Sequence, residues 1–377
     1  MSSNHAGTPN AASLACFADT YAAARAKFQL AAAEAGGVIT SYVHPDAQGP
    51  DGGSLAIEVA AFGPIDAARA LLIVSGTHGA EGYTGSAAQV ALARSGALGQ
   101  LDRDTRVLLV HALNPYGFAH GTRTTEHNVD LNRNFVDFAA RLPSNPAYLE
   151  LHEQICPRDW DEATRAATDH AIEAWIASHG AKAWLDSSMK GQYDEPTGLN
   201  FGGRAPEWSN RTLQRILARE LPALQRLAFI DWHTGLGQPG QPFFLCFNEP
   251  GSAHWERVCA WWGRERVANE VGFEGGQRPP YNGLVFYGVR DLVAPAQLTG
   301  AVIEFGTGPI KASFDQLRAD RWLRFGDVPD DPALVARMRA QIRAMFTPTD
   351  EGWRSGVIEH ALQIQQQALH GLAQWTA

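Results

Sequence analysis

Residues Ala70–Gly82 read ALLIVSGTHGAEG, and this stretch narrows the folds open to the chain more than any other. Four apolar residues, Leu71 to Val74, stop at Ser75-Gly76-Thr77, and His78 follows with Glu81 three residues on. A short apolar run closed by glycine predicts a buried strand that ends in a loop. In an open α/β sheet, ligands gather outside the carboxyl ends of the strands. The pair therefore falls where chemistry is placed, and an imidazole nitrogen and a carboxylate oxygen are both zinc donors.

The pair is not distinctive by itself. The chain holds 13 histidines, and His170 and Glu173 repeat the spacing. That second pair lies in DEATRAATDHAIEAWIASHG, whose helical periodicity predicts two polar residues on a solvated face. What separates His78 and Glu81 from it is the strand-to-loop setting and the partners downstream.

Along the chain, residues 1–12 read as a flexible lead. An Ala-rich helix spans Cys16 to Ala35 and stops at Gly36-Gly37. Strands are expected at Val38–Val43, Leu55–Ala61, Leu71–Val74, Val107–His111, Leu227–Ile230, Phe243–Phe247, Leu284–Val289 and Ala301–Phe305. Helices are expected at Thr84–Ser95, over most of 146–190, at Thr212–Leu224, at Trp255–Val271 and from Pro332 onward. In the last of these, Val357, Ala361, Ile364, Ala368, Leu372 and Trp375 share a face and predict core packing. Strands alternating with helices predict an α/β fold with a mixed, largely parallel central sheet flanked by helices, and with extra helices at both termini. A single domain over 13–377 is expected, with its core at 38–325 and a helical extension at 330–377.

The 377 residues carry 31 basic and 40 acidic side chains, net −9, with no block of like charge, which disfavours nucleic acid. The four cysteines, Cys16, Cys156, Cys246 and Cys259, form no C-x-x-C pair and read as incidental thiols. No basic-then-apolar leader and no run of 18 apolar residues occurs, so a cytoplasmic protein without a membrane segment is expected.

Two long loops lack periodicity. LNPYGFAHGTRTTEHNVDLNRNF covers 113–135 and GQYDEPTGLNFGGRAPEWSN covers 191–210. Loops of this length are more often functional than filler. Three apolar runs end in polar groups: His78 with Glu81, then His233 in DWHTG, then Glu304 in AVIEF. Two histidines and a carboxylate fit a catalytic zinc site with one position open for water. Glu304 is then free to act as a base, and an ionisable group inside an apolar strand is costly unless a cleft solvates it.

Taken in order, His78-x-x-Glu81, NVDLNRNF (128–135), DWHTG (231–235) and IEFGTG (303–308) resemble the zinc carboxypeptidase superfamily, M14-like metallopeptidases that include a succinylglutamate desuccinylase/aspartoacylase branch. NPYGFA and GQYDEPTGLNFGG further resemble a bacterial carboxypeptidase-like branch described as a domain of unknown function, DUF2817. The resemblance spans residues 70–310. It implies a phosphorylase/hydrolase-like, carboxypeptidase-like fold holding one Zn2+ on His78, Glu81 and His233. It implies Glu304 as general base for the attacking water and Asp130 as the carboxylate that orients His78. It implies Asn132 and Arg133 as the grip on a substrate carboxylate and Arg123 as the arginine that polarises the scissile carbonyl. A mobile tyrosine is also implied, with Tyr287 the catalytic candidate and Tyr281 its alternative.

The expected activity is zinc-dependent hydrolysis of a peptide or amide bond beside a free α-carboxylate, releasing a C-terminal amino acid. The partner expected is a small peptide or an N-acyl amino acid. An N-acyl-amino-acid amidohydrolase and a non-catalytic carboxylate-binding protein are the alternatives, although the helical C-terminus lacks the β-rich domain of the aspartoacylase branch. Homo-oligomerisation is left open.

Overall fold

The computed structural model describes residues 10–268 and 278–375. Seven strands form one sheet: β1 (Val38–Gln48), β2 (Ser54–Phe62), β3 (Arg69–Ser75), β4 (Thr105–His111), β5 (Arg226–Pro239), β6 (Pro242–Leu245) and β7 (Gln297–Gly306). Their order across the sheet is β1-β2-β4-β3-β5-β7-β6. The pairs β4–β3, β3–β5 and β5–β7 are parallel, while β1–β2, β2–β4 and β6–β7 are antiparallel. This is the mixed α/β architecture expected from the sequence, with its parallel strands at the centre.

Alternation along the central strands decides the layers. Ile230 and Trp232 of β5 and Ile303 and Phe305 of β7 face a core shared with the helices Tyr21–Glu34, Gly82–Arg94, Ala253–Trp262 and Glu351–Gln374. Trp232 stacks on Phe305 with ring centroids 5.4 Å apart. A buried side chain of this size contributes about 1.5–3 kcal/mol of apolar transfer. The opposite face of the sheet packs against Trp208–Glu220 and Val285–Val293 through Leu213, Ile216, Phe286 and Val289. The last helix buries the expected stripe, and Asp350 caps it by accepting from the Trp353 amide at 2.7 Å. No helix among the described residues is long and apolar enough to cross a membrane.

Three local expectations differ from the structure. Leu284–Val289 is not a strand, because Val285–Val293 is a helix. Its buried Val285, Phe286 and Val289 follow the i, i+1, i+4 spacing of a helix, and the Val285 amide donates to Asn132 Oδ1 at 2.9 Å. A short helix, Ala11–Leu14, falls at the end of the expected lead, and the helix expected from Cys16 begins only at Tyr21, where Thr20 caps it, with Cys16 and Phe17 buried between the two. The helix expected at Trp255–Val271 breaks at Gly263, whose φ of +92° no helical residue adopts, and resumes over Arg264–Val267. Its residues 269–271 lie outside the described residues, as do residues 1–9 of the expected lead.

Candidate metal centre and substrate cavity

His78 leaves the carboxyl end of β3, and a single 3-10 turn, Gly79–Glu81, returns Glu81 to the same side. The long loop pins that turn. The Gly79 amide donates to the Arg123 carbonyl at 3.1 Å, and the Ala80 amide donates to the Thr122 carbonyl at 2.9 Å. β5 runs parallel beside β3, with Ser75 opposite Trp232, so the next residue, His233, emerges beside the turn. β7 is parallel to β5 with His233 opposite Glu304. His78 and Glu81, just past β3, therefore meet His233 within β5 and lie near Glu304 in β7, whereas a strand end was expected at His233 and β5 runs on to Pro239.

The donor atoms face one another. His78 Nδ1 is 2.9 Å from Glu81 Oε1, His233 Nδ1 is 3.1 Å from Glu81 Oε2, and the two Nδ1 atoms are 3.1 Å apart. Tetrahedral zinc with bonds of 2.0–2.1 Å sets its donors about 3.3 Å apart. Each ring's other nitrogen meets a buried carboxylate: His78 Nε2 is 3.1 Å from Asp130 Oδ1, and His233 Nε2 is 3.0 Å from Asp231 Oδ2. The hydrogen bond to Asp130 places the His78 ring proton on Nε2, and both rings turn Nδ1 toward Glu81. Burial works against the charge on Glu81, yet His78 and His233 outweigh it and hold its carboxyl far below the ordinary carboxylate range. The donor atoms of His78, Glu81 and His233 lie together, and this set of two imidazoles and a carboxylate fits a divalent metal.

Asp130 does more than orient His78. Its Oδ2 receives Arg123 Nε at 3.1 Å and Nη2 at 3.0 Å, and Arg123 Nη1 reaches Glu81 Oε1 at 3.2 Å. Burial raises the Asp130 carboxyl, but Arg123 and His78 prevail and hold it well below its usual range. Arg123 is thereby fixed on the cavity wall beside the donors.

Arg133 is 3 % exposed and has no carboxylate within ion-pair distance among the described residues. Its Nη1 donates to the Asn132 carbonyl and its Nη2 to the Met189 carbonyl, both at 2.6 Å, while its Nε has no partner among the described residues. Its guanidinium carbon lies 5.0 Å from the centroid of the Tyr281 ring. Arg133 is thus a buried guanidinium in the cavity wall with no carboxylate partner among the described residues. Burial accordingly pulls its pKa downward, against the pull of Asp130.

The loop 191–210 forms the cradle for this group. Tyr193 donates its hydroxyl to the Arg133 carbonyl at 2.7 Å, and the Asp130 amide donates to the Phe201 carbonyl at 2.8 Å. Gly191, at φ +100°, leaves the room that Arg133 occupies, since a Cβ there would lie 2.5 Å from Arg133 Cδ.

Glu304 lies 8 % exposed in the wall of the same cavity, of about 390 Å3, which also holds His78, Glu81, Arg123, Asn132, Arg133 and Tyr281. Burial, and then the negative charge of Glu81, push its carboxyl up to about 7. Tyr287 is elsewhere: it stacks edge-on to Phe247 at 5.7 Å, carries Arg290 over its ring, and lines a separate cavity. Asn132 sits at the cavity wall with its Oδ1 taken by the Val285 amide.

Reading the residues left Asp231 without a role. The signal was present, because Asp-x-His in a strand puts both side chains on one face. Thr77, whose hydroxyl donates to both Asp231 oxygens at 2.9 and 3.1 Å, carried no such signal.

The family described as "Protein of unknown function (DUF2817)" matches residues 17–360. No curated protein matches the chain. Among solved structures, the chain is similar to bovine thrombin-activatable fibrinolysis inhibitor in complex with tick carboxypeptidase inhibitor, at 10 % identity and a TM-score of 0.49, covering 94 % of this chain and 97 % of that one. It is also similar to carboxypeptidase A from Helicoverpa armigera, at 13 % identity and a TM-score of 0.45, with 86 % and 73 % covered. A metallo-carboxypeptidase from Burkholderia cenocepacia gives 12 % identity and a TM-score of 0.44, with 93 % and 69 % covered.

Proposed function

The chain belongs to the DUF2817 family, and we propose that it is a metal-dependent hydrolase of a peptide or amide bond next to a free α-carboxylate. One observation carries this reading: a single cavity joins His78 and Glu81, which meet His233 in one donor cluster, to the buried carboxylate of Glu304 and to the Arg133 guanidinium, which has no ion-pair partner among the described residues. His78, Glu81 and His233 would hold the metal, for which zinc is the first choice given two imidazoles and a carboxylate. When bound, it supplies the Lewis acidity that an unactivated amide requires.

The chain's own groups do the rest. Arg133, with Asn132 beside it, binds the substrate carboxylate through a planar fork and sets the amide toward Glu304. Glu304 takes a proton from the attacking water and delivers it to the leaving nitrogen, a role suited to a carboxyl poised near 7. Arg123, held by Asp130 and Glu81, places positive charge where the carbonyl oxygen becomes an anion; one such donor is worth about 3 kcal/mol. Tyr281, not Tyr287, is the tyrosine within this cavity, and its hydroxyl serves the bound substrate.

The test is amino-acid release by zinc-loaded protein with and without chelator. Free-carboxylate peptides are expected to be cleaved and their C-terminally amidated forms spared. A cavity of about 390 Å3 suits a short substrate, which favours the N-acyl-amino-acid amidohydrolase as the second reading. Cleavage of N-acyl amino acids alone would establish that reading, and release from no substrate would refute both.

A further inference from the structure

We propose that Asp320, on the helix Ile310–Phe325, is a positioning residue of this site: through one peptide unit it sets Arg123 on one side and the turn that carries Glu81 on the other. The proposal rests on the hydrolase reading above for the task that Arg123 performs, and it brings the C-terminal helices into the site.

Asp320 is buried, and both of its oxygens are occupied. Its Oδ2 accepts from the Thr122 hydroxyl at 2.7 Å and from the Arg123 amide at 3.0 Å. Its Oδ1 accepts from Arg339 Nη1, and the same Nη1 donates to the Gly121 carbonyl at 3.4 Å. Arg339 belongs to the helix Pro332–Phe346. A carboxylate this far from water is tolerable only with such a full set of donors, and the bonds it accepts are strengthened by its charge. Arg324, one turn further along the Asp320 helix, donates to Thr124 Oγ1 and to the Thr125 and Glu126 carbonyls. One helix thus fastens the long loop over residues 122–126.

The peptide between Thr122 and Arg123 is the link. It is trans, so its N–H and its C=O point in opposite directions. The N–H goes to Asp320, and the C=O accepts from the Ala80 amide, directly before Glu81. Donating to a carboxylate polarises the peptide and makes its carbonyl a stronger acceptor for that turn. In the next unit the Arg123 carbonyl accepts from the Gly79 amide and from Asn114 Nδ2 at 3.2 Å. The Arg123 backbone is therefore gripped from both sides before its guanidinium meets Asp130 and Glu81. Ile342 and Phe346, on the helix of Arg339, pack on Ala80 and back the same turn. Asparagine cannot stand in for this carboxylate. With its oxygen toward Thr122 and Arg123, its NH2 faces Arg339; turned over, its NH2 faces the Arg123 amide. Either way donor meets donor.

The experiment reads hydrogen exchange at single amides in metal-free protein, and turnover in zinc-saturated protein. In Asp320→Asn the amides of Gly79, Ala80 and Arg123 are expected to exchange at least about tenfold faster, with the amides of β1 and β2 unchanged. Wild-type exchange at those three amides, or a uniform rise across the sheet, overturns the proposal. In the same variant kcat should fall at least about tenfold with KM unchanged, because Arg123 acts on the transition state. In an Arg123→Lys background Asp320→Asn should cost little further kcat, and a fully additive loss overturns the positioning role. Should Asp320→Asn not fold, Arg339→Met, at a half-buried side chain, takes its place: faster exchange at the three amides and a lower kcat support the proposal, and wild-type values of both overturn it. Release of no amino acid by wild type rejects the hydrolase, and exchange then decides the Asp320 contacts alone. Faster exchange at the three amides with wild-type kcat keeps the hydrolase and rejects Asp320 as its positioning residue.

Discussion

His233 and Glu304 are register partners on two neighbouring parallel strands. One ladder of backbone hydrogen bonds thus fixes the proposed metal donor against the proposed base. Neither residue depends on a flexible loop for its position. Replacing Glu304 by Gln keeps the shape and removes the base. Turnover is expected to fall by at least about 10²–10⁴-fold while bound zinc stays at the wild-type amount. Amino-acid release and metal analysis on the same preparation check this, and retained turnover would take Glu304 out of the base role.

The raised carboxyl of Glu304 also has a signature in pH. Its folded value, about 7, lies above its ordinary 4.5, so the group's contribution to stability is present below about 4.5 and lost as pH rises through 7. Metal-free Glu304→Gln should therefore melt higher than metal-free wild type at pH 8, by about 1–3 kcal/mol, with the gain vanishing at pH 4.5. In the loaded protein the bound cation opposes burial, so kcat/KM should rise with pH to a plateau, with a midpoint at or below about 7. Melting curves and a pH–rate profile are the measurements. A wild type and variant that melt alike at every pH would mean that Glu304 carries no raised carboxyl.

Asp130 holds both His78 and Arg123. Asp130→Asn keeps the size but weakens the orientation of the ligand ring, and zinc affinity is expected to fall about 10–100-fold. Asp231→Asn should act likewise through His233. Competition with a chromophoric chelator reads both. Unchanged affinity would show that the rings are held by packing alone.

Arg133→Lys exchanges a fork for a point charge. It should lower kcat/KM on free-carboxylate substrates by about 1.5–3 kcal/mol, roughly ten- to a hundredfold, with zinc content unchanged. Steady-state kinetics on a matched free and amidated pair test it, and an equal loss on both would mean that Arg133 does not read the carboxylate.

Gly191→Ala adds one methyl group in a left-handed backbone conformation, 2.5 Å from Arg133 Cδ. A destabilisation of about 1–3 kcal/mol is expected, together with a raised KM for free-carboxylate substrates. A variant that melts and binds like wild type would show that the cradle has slack.

Much of this was legible in the chain. The strand-end residues His78, Glu81, His233 and Glu304 announced themselves because each interrupts or follows an apolar run, and parallel strands deliver such positions to one edge. The loop 191–210 was marked by its glycines, but its contacts with Arg133 and Asp130 join segments with no shared periodicity and left no local trace. The helix at Val285–Val293 was misread because six apolar-rich residues satisfy either period, and its choice depends on Asn132, about 150 residues away, supplying an acceptor at its first turn. Tyr287 was a candidate only through the resemblance, which implies a tyrosine ahead of Glu304, with Tyr281 its alternative. As a helix residue Tyr287 faces away, and Tyr281, ahead of that helix, takes the cavity wall.

His78 and His233 are separated by 155 positions in the chain, and β5 must pair with β3 before the donors meet. During synthesis, then, the growing polypeptide has no pocket for zinc until the middle of the sheet has closed. Metal capture belongs to the end of assembly and cannot guide its beginning. A ribosome-stalled chain ending before residue 226 should be as blind to zinc as an unfolded one.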